Sequence, residues 1–279
     1  MPLHYFKNYC LLLALASSLF ASVSACAATY SIAVVPQYNV ALLHAEWQPL
    51  LERIARDTGV TLELILQSSF PKFEHALLKG EPDFAYANPY HAVMAKNAQG
   101  YLPLLRDSKS LTGILLVRND SPYKNLADLN GKDLGFPAPN AFGASLYLRA
   151  LLKKKDIKFE PKILNSHGNV FRSILNGSVA AGGAVNSTYN DEKPEIRDQL
   201  RIIFQTPGSA SHPLLVHPRV PEKVRMEIKN AILELQKDAA GLALLKDVRL
   251  SQPLSADYKS DYLPLEKLGI EKFLVHEKE

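Results

Sequence analysis

"DFAYANPYHAVM" (Asp83–Met94) decides the fold. Its first half alternates around small and aromatic residues, as a strand does. Asn88-Pro89 then starts a helix. Asparagine is a favoured N-cap, and proline suits the first helical position, where its missing N–H costs nothing. Tyr86 and Tyr90 bracket the junction. A strand that runs straight into a helix is the unit of a parallel α/β sheet, and such sheets bind ligands at the carboxyl ends of their strands.

Working outward, the same unit recurs. "YSIAVVPQ" from Tyr30 reads as a buried strand. Trp47, Leu50, Leu51 and Ile54 then form one helical stripe that stops at Gly59. "VTLELILQ" is a strand, "PKFEHALLKG" a short helix and "YLPLLR" a strand. The pattern restarts with "LTGILLVRNDS". "DLGFP", "SVAAGGAV" and "LRIIFQT" follow as strands, "AFGASLYLRALL" and "HGNVFRSILNG" as helices. "PLLVHP" is a returning strand, and a long helical stretch follows Pro221. There is an internal echo. "ALLKGEPDFAYANPY" and "SILNGSVAAGGAVNSTY" share a helix, a Gly stop, a small-residue strand, then Asn and Tyr. Two lobes on one plan each present such a turn to a shared cleft. Their hinges are expected near residues 111–117 and 213–217. The expected organisation is 1–28 leader, 29–111 first lobe, 112–212 second lobe, and 213–279 return to the first lobe with C-terminal helices.

The chain has 279 residues, 47% hydrophobic and 22% charged, with a formal net charge of +4. Residues 1–28 carry one cation, Lys7, then the apolar run "CLLLALASSLFASVSA". This is the pattern of a secretory signal peptide, too short at its apolar core to be a span. It leaves open two exits, an A-x-A cleavage after Ala25-Cys26-Ala27 or lipidation of Cys26. Cys10 and Cys26 are the two cysteines, so the exported body has no thiol beyond Cys26 and no disulfide framework. No basic–aromatic pattern points to nucleic acid. The motifs G-x-S-x-G, H-E-x-x-H and G-x-x-x-x-G-K-[ST] are absent, so no enzyme is expected, and no cofactor or metal. His212 and His217 fall on opposite faces of a strand and do not suit a shared metal. His75 and His91 read as surface residues. His167, after Asn165-Ser166, is either part of a helix-capping cluster or a donor to a bound anion.

"WQPLLERIARDTGV", "ALLKGEPDFAYANPYHAV", "VRNDSPYKNLADLNGKDLGF", "SHGNVFRSILNGSVAAGG" and "HPLLVHPRVPEKVR" occur in this order. Together they resemble the periplasmic substrate-binding proteins of phosphonate, phosphite and phosphate ABC importers. The resemblance implies a type II periplasmic-binding-protein fold: α/β, two Rossmann-like lobes joined by two crossing hinge strands. It implies a monomer in the periplasm that captures a small anion and hands it to an inner-membrane ABC permease. An alternative is a ligand-sensing partner of a membrane histidine kinase. Onto this sequence the resemblance carries Phe70, where the family has a tyrosine, and His167. It carries Asn140, Phe142 and Ser145 of "APNAFGAS", where phosphonate binders have a hydroxyl run. It also carries Asn186 and His212, where aminophosphonate binders have acidic residues. Tyr38, Tyr86, Asn88 and Tyr90 are the further cleft candidates, and the free N–H groups at the Phe142 helix start are expected to hold an anion.

Overall fold

The computed structural model describes residues 29–275. The leader and Cys26 lie outside the described residues. Strand β1 (Thr29–Val34) leads to helix α1 (Val40–Thr58), which buries Leu43, Trp47, Leu50, Leu51 and Ile54. Asn39 caps it, its Oδ1 accepting the Leu42 N–H at 2.9 Å, and Gly59 ends it in the left-handed region at φ 73°. Strand β2 (Thr61–Leu66), helix α2 (Phe70–Leu78), strand β3 (Phe84–Tyr86), helix α3 (Pro89–Gln99) and strand β4 (Leu102–Asp107) follow. β1 pairs in parallel with β2 and β3, as strand–helix–strand crossovers require.

The chain then crosses into a second sheet. It contains β5 (Gly113–Arg118), β6 (Lys132–Phe136), β7 (Phe159–Ile163), β8 (Ala181–Val185) and β9 (Leu200–Gln205), in the order β7-β6-β8-β5-β9. Helices α4 (Tyr147–Lys154), α5 (His167–Leu175), α6 (Asn186–Asn190) and α7 (Pro194–Arg197) accompany it. The return strand β10 (Pro213–Val216) inserts antiparallel between β3 and β4. Helices α8 (Glu222–Glu234) and α9 (Ala239–Asp247), strand β11 (Pro253–Ser255) and helix α10 (Leu263–Glu266) complete the first lobe. Its sheet runs β11-β4-β10-β3-β1-β2.

The two crossing segments lie outside β5 and β10, which are each wholly within a sheet. They touch through an antiparallel bridge between Leu111 and Ser209, with both N–H···O bonds at 3.0 Å. The two sheets are therefore joined by an irregular two-stranded bridge just before β5 and just after β9. Apolar side chains bury against both faces of each sheet, as helix-covered sheets require. A further apolar cluster spans the lobe boundary, joining Tyr90 and Phe70 of the first lobe to Phe142, Leu146 and Val185 of the second. No helix among the described residues is long and apolar enough to cross a membrane.

Candidate functional site

The carboxyl ends of strands from both sheets face each other across the lobe boundary. Between them lies a narrow cavity of about 10 Å³, room for about one water. Gln37, Phe70, Asn88 and Pro89 line it from the first lobe and His212 from the crossing segment. The second lobe supplies Phe142, Gly143, Ala144, His167 and Val185, with Leu111 at the crossing. Larger hollows adjoin it on two sides. One contains Tyr38, Ser69, Asn165 and Arg172, the other Tyr86, Asn186, Asp191 and Arg249.

Asn88 is the N-cap of α3, with Oδ1 accepting the His91 N–H at 2.9 Å and Pro89 at N1. Its amide also reaches the second lobe, donating to the Asn140 carbonyl at 3.3 Å. Phe142 opens a π-helical turn, Phe142–Leu146, that feeds directly into α4. The N–H groups of Phe142, Gly143 and Ala144 fall in its first turn, where no preceding carbonyl of the turn can accept them. They carry the positive end of the helix dipole into the cavity wall. This turn sits on a glycine floor. A Cβ at Gly113 would lie 2.1 Å from the Gly143 oxygen, and one at Gly183 would lie 1.9 Å from the Ala144 oxygen. The Phe142 ring stacks between Tyr90, at 6.3 Å, and Tyr147, at 5.5 Å.

His167 is the first residue of α5, which Ser166 caps by accepting the Asn169 N–H at 3.1 Å. Capping thus falls to Ser166, and the His167 ring is free to face the cavity. Its Nδ1 lies 3.3 Å from Thr188 Oγ1. His212 stacks on Tyr86 with 5.7 Å between ring centres, and its Nε2 is buried without a hydrogen-bond partner among the described residues. Burial lowers the pKa of His167 to about 4 and, with the neighbouring His91 and His167, that of His212 to about 3. Both rings are therefore neutral at physiological pH.

Of the expected site residues, the structure brings Phe70, Asn88, Phe142, His167 and His212 to one cavity. Tyr38, Tyr86 and Asn186 border the adjoining hollows. Tyr90 gives its ring to the interlobe core beside Phe142. Asn140 is a structural link: its Nδ2 donates to Glu74 Oε2 at 2.9 Å and to the Val275 carbonyl at 2.8 Å. Ser145 is turned away, donating to the Pro139 carbonyl at 3.1 Å and accepting from Arg149. Tyr189 points its hydroxyl at the Arg197 and Leu200 carbonyls, away from the cleft. His91 is not a surface residue. It is 1% exposed, and its Nε2 lies 2.9 Å from Glu74. The reason is the packing of α3 on α2, which places Phe73 against its ring. Thr188, Leu111 and Val185 carried no signal in the sequence, because only the folding together of distant segments gives them a role.

Comparison with known proteins places this architecture. The model of the family described as "ABC transporter, phosphonate, periplasmic substrate-binding protein" matches residues 32–262. The phosphate-import protein PhnD of Mycolicibacterium smegmatis is 25% identical over 201 residues, which are 64% of this chain and 63% of that protein. This chain thus spans somewhat less than two thirds of that relative. The phosphonates-binding periplasmic protein of Escherichia coli is 23% identical over 82% of this chain and 72% of that protein. Among solved structures, PhnD1 from Prochlorococcus marinus in complex with methylphosphonate superposes with a TM-score of 0.78 at 14% identity. The match covers 86% of this chain and 97% of that one. A binding-protein component of a phosphonate ABC transporter from Pseudomonas aeruginosa gives 0.77 at 15%, covering 87% and 85%. These structures share the two-lobed α/β fold. The chain belongs to the family of periplasmic substrate-binding proteins of phosphonate ABC transporters.

Proposed function

We propose that this protein captures a small phosphonate- or phosphate-type oxyanion between its lobes in the periplasm and presents it, enclosed, to an ABC permease of the inner membrane. It binds and releases its ligand without chemical change. One observation supports the reading most: the first turn Phe142–Ala144, His167 and His212 all line one narrow cavity between the lobes. Helix N-termini hold oxyanions through N–H groups and the dipole together. Exclusion of water by the closed lobes strengthens each of those bonds.

Thermal unfolding in the presence of methylphosphonate, phosphite or phosphate tests it. A ligand present at a hundred times its Kd stabilises the folded state by about 2.7 kcal/mol, a rise in Tm of several degrees. No shift with any of the three at millimolar concentration would sink the reading.

A further inference from the structure

We propose that Glu74, which does not line the cavity, is a positioning residue for ligand retention: through Asn140 it clamps the two walls of the cavity together from behind. This rests on the cavity being the ligand site. Glu74 lies on α2, one turn after Phe70, which does line the cavity. It is 9% exposed, and no Lys or Arg pairs with it among the described residues. Its carboxylate makes two bonds, one to each lobe. Oε1 accepts from His91 Nε2 at 2.9 Å, on α3 of the first lobe. Oε2 accepts from Asn140 Nδ2 at 2.9 Å, on the loop after β6 of the second.

Each bond leads to one wall. His91 and Asn88 cap each other: Asn88 Oδ1 accepts the His91 N–H at 2.9 Å, and His91 Nδ1 faces the Asn88 N–H at 3.4 Å. Asn88 lines the cavity from the first lobe. Asn140 directly precedes Ala141 and Phe142, which line it from the second. The Asn140 side chain makes its bonds outside its own lobe. Nδ2 donates to Glu74 and to the Val275 carbonyl, and Oδ1 accepts the Val275 N–H at 3.0 Å. Its own carbonyl accepts from the Asn88 amide. Asn140 is therefore committed behind the wall, and Glu74 is the charged group that holds it there. A buried carboxylate is costly when a hydrogen bond to it is lost. Parting the lobes withdraws Asn140 from Glu74, so this bond belongs to the closed form. A bond made only after closure acts on release of the ligand and leaves its capture unchanged. A role confined to holding α2 on α3 would not depend on Asn140.

Glu74→Gln keeps the shape, but its amide cannot serve both partners. Turned one way its NH₂ meets the Asn140 NH₂, turned the other way it meets the His91 N–H. Stopped-flow association and dissociation of methylphosphonate with the full chain are the test, beside urea midpoints without ligand. Release is expected to be at least about tenfold faster in Glu74→Gln, with association within about twofold of the original. Asn140→Ala should speed release in the same way, and adding Glu74→Gln to it should change release by less than about twofold. Release at the original rate in Asn140→Ala overturns the proposal. So does a Glu74→Gln effect that is as large without Asn140 as with it, or one seen only as a lower urea midpoint. Each of these leaves the cavity standing as the ligand site. Failure of methylphosphonate, phosphite and phosphate alike to bind the unaltered protein overturns both.

Discussion

Gly183 has no room for a side chain. The carbonyl of Ala144 occupies the space a Cβ would need, so the π-turn Phe142–Leu146 rests directly on the strand. Gly183→Ala is expected to force the turn outward. The cost is that of overpacking, about 1–3 kcal/mol, seen as a lower urea midpoint, with weaker binding of methylphosphonate. An unchanged midpoint would show that the floor yields. Asn88 is the second position where one side chain sets local geometry. It caps α3 and reaches across to the Asn140 carbonyl. Asn88→Ala should cost about 1 kcal/mol for the cap alone, read from urea unfolding without ligand. A loss no larger than that would mean the cross-lobe bond contributes nothing measurable.

Helix ends and strand ends meet at the rim, and Asp191, just after α6, ties them. It accepts from the Tyr38 hydroxyl at 3.0 Å and from Arg249 Nε at 3.2 Å, both on the first lobe. Arg249 holds a left-handed backbone, φ 60°, which is costly for a residue with a Cβ. Its guanidinium spans Glu46 and Asp191 and lies 4.1 Å from the Tyr38 ring centre. Of these, the two Asp191 contacts cross between the lobes, whereas the Glu46 pair and the Tyr38 ring contact lie within the first lobe. Asp191 is partly exposed, so the pair adds little to unliganded stability, below about 1 kcal/mol. Asp191→Ala should instead increase the rate of ligand release and shift the unliganded protein toward open forms. Stopped-flow dissociation and the radius of gyration in solution scattering measure the two effects. Ligand release at the original rate would show that the rim contacts do not hold the lobes closed.

At the scale of the molecule, two neutral histidines buried between lobes make stability depend on pH. Their folded pKa values, about 4 and about 3, lie below the unfolded value of 6.5. Between those limits the unfolded chain binds more protons than the folded one. Stability is therefore full above pH 6.5 and falls as the pH drops, by about 1.4 kcal/mol for each pH unit and each histidine. Urea midpoints without ligand should decline from pH 7 to pH 5, and the decline should be shallower in His212→Gln. Equal slopes in the two proteins would mean that His212 is solvated in the unliganded form.

The strand–turn–helix rhythm, the Asn88-Pro89 start and the Gly80 and Gly177 stops are local properties. Their pattern alone determined an α/β chain of two related lobes, because caps, stops and apolar stripes act within a few residues. The run of quoted motifs likewise marked the family. The positions of side chains in the cavity were legible only in part. His167 and Phe142 follow from where their helices begin, whereas Ser145, on the same turn as Phe142, and Tyr189, on α6, point away. The Glu74–His91–Asn140 link joins residues 17 and 66 apart, and the Asp191 rim joins residues 153 and 58 apart. Only tertiary structure decided those pairings. It also decided that His167, His212 and His91 are buried, and hence that the first two are uncharged. Desolvation is set by which distant segments cover each ring, and no local stretch of sequence contains that information.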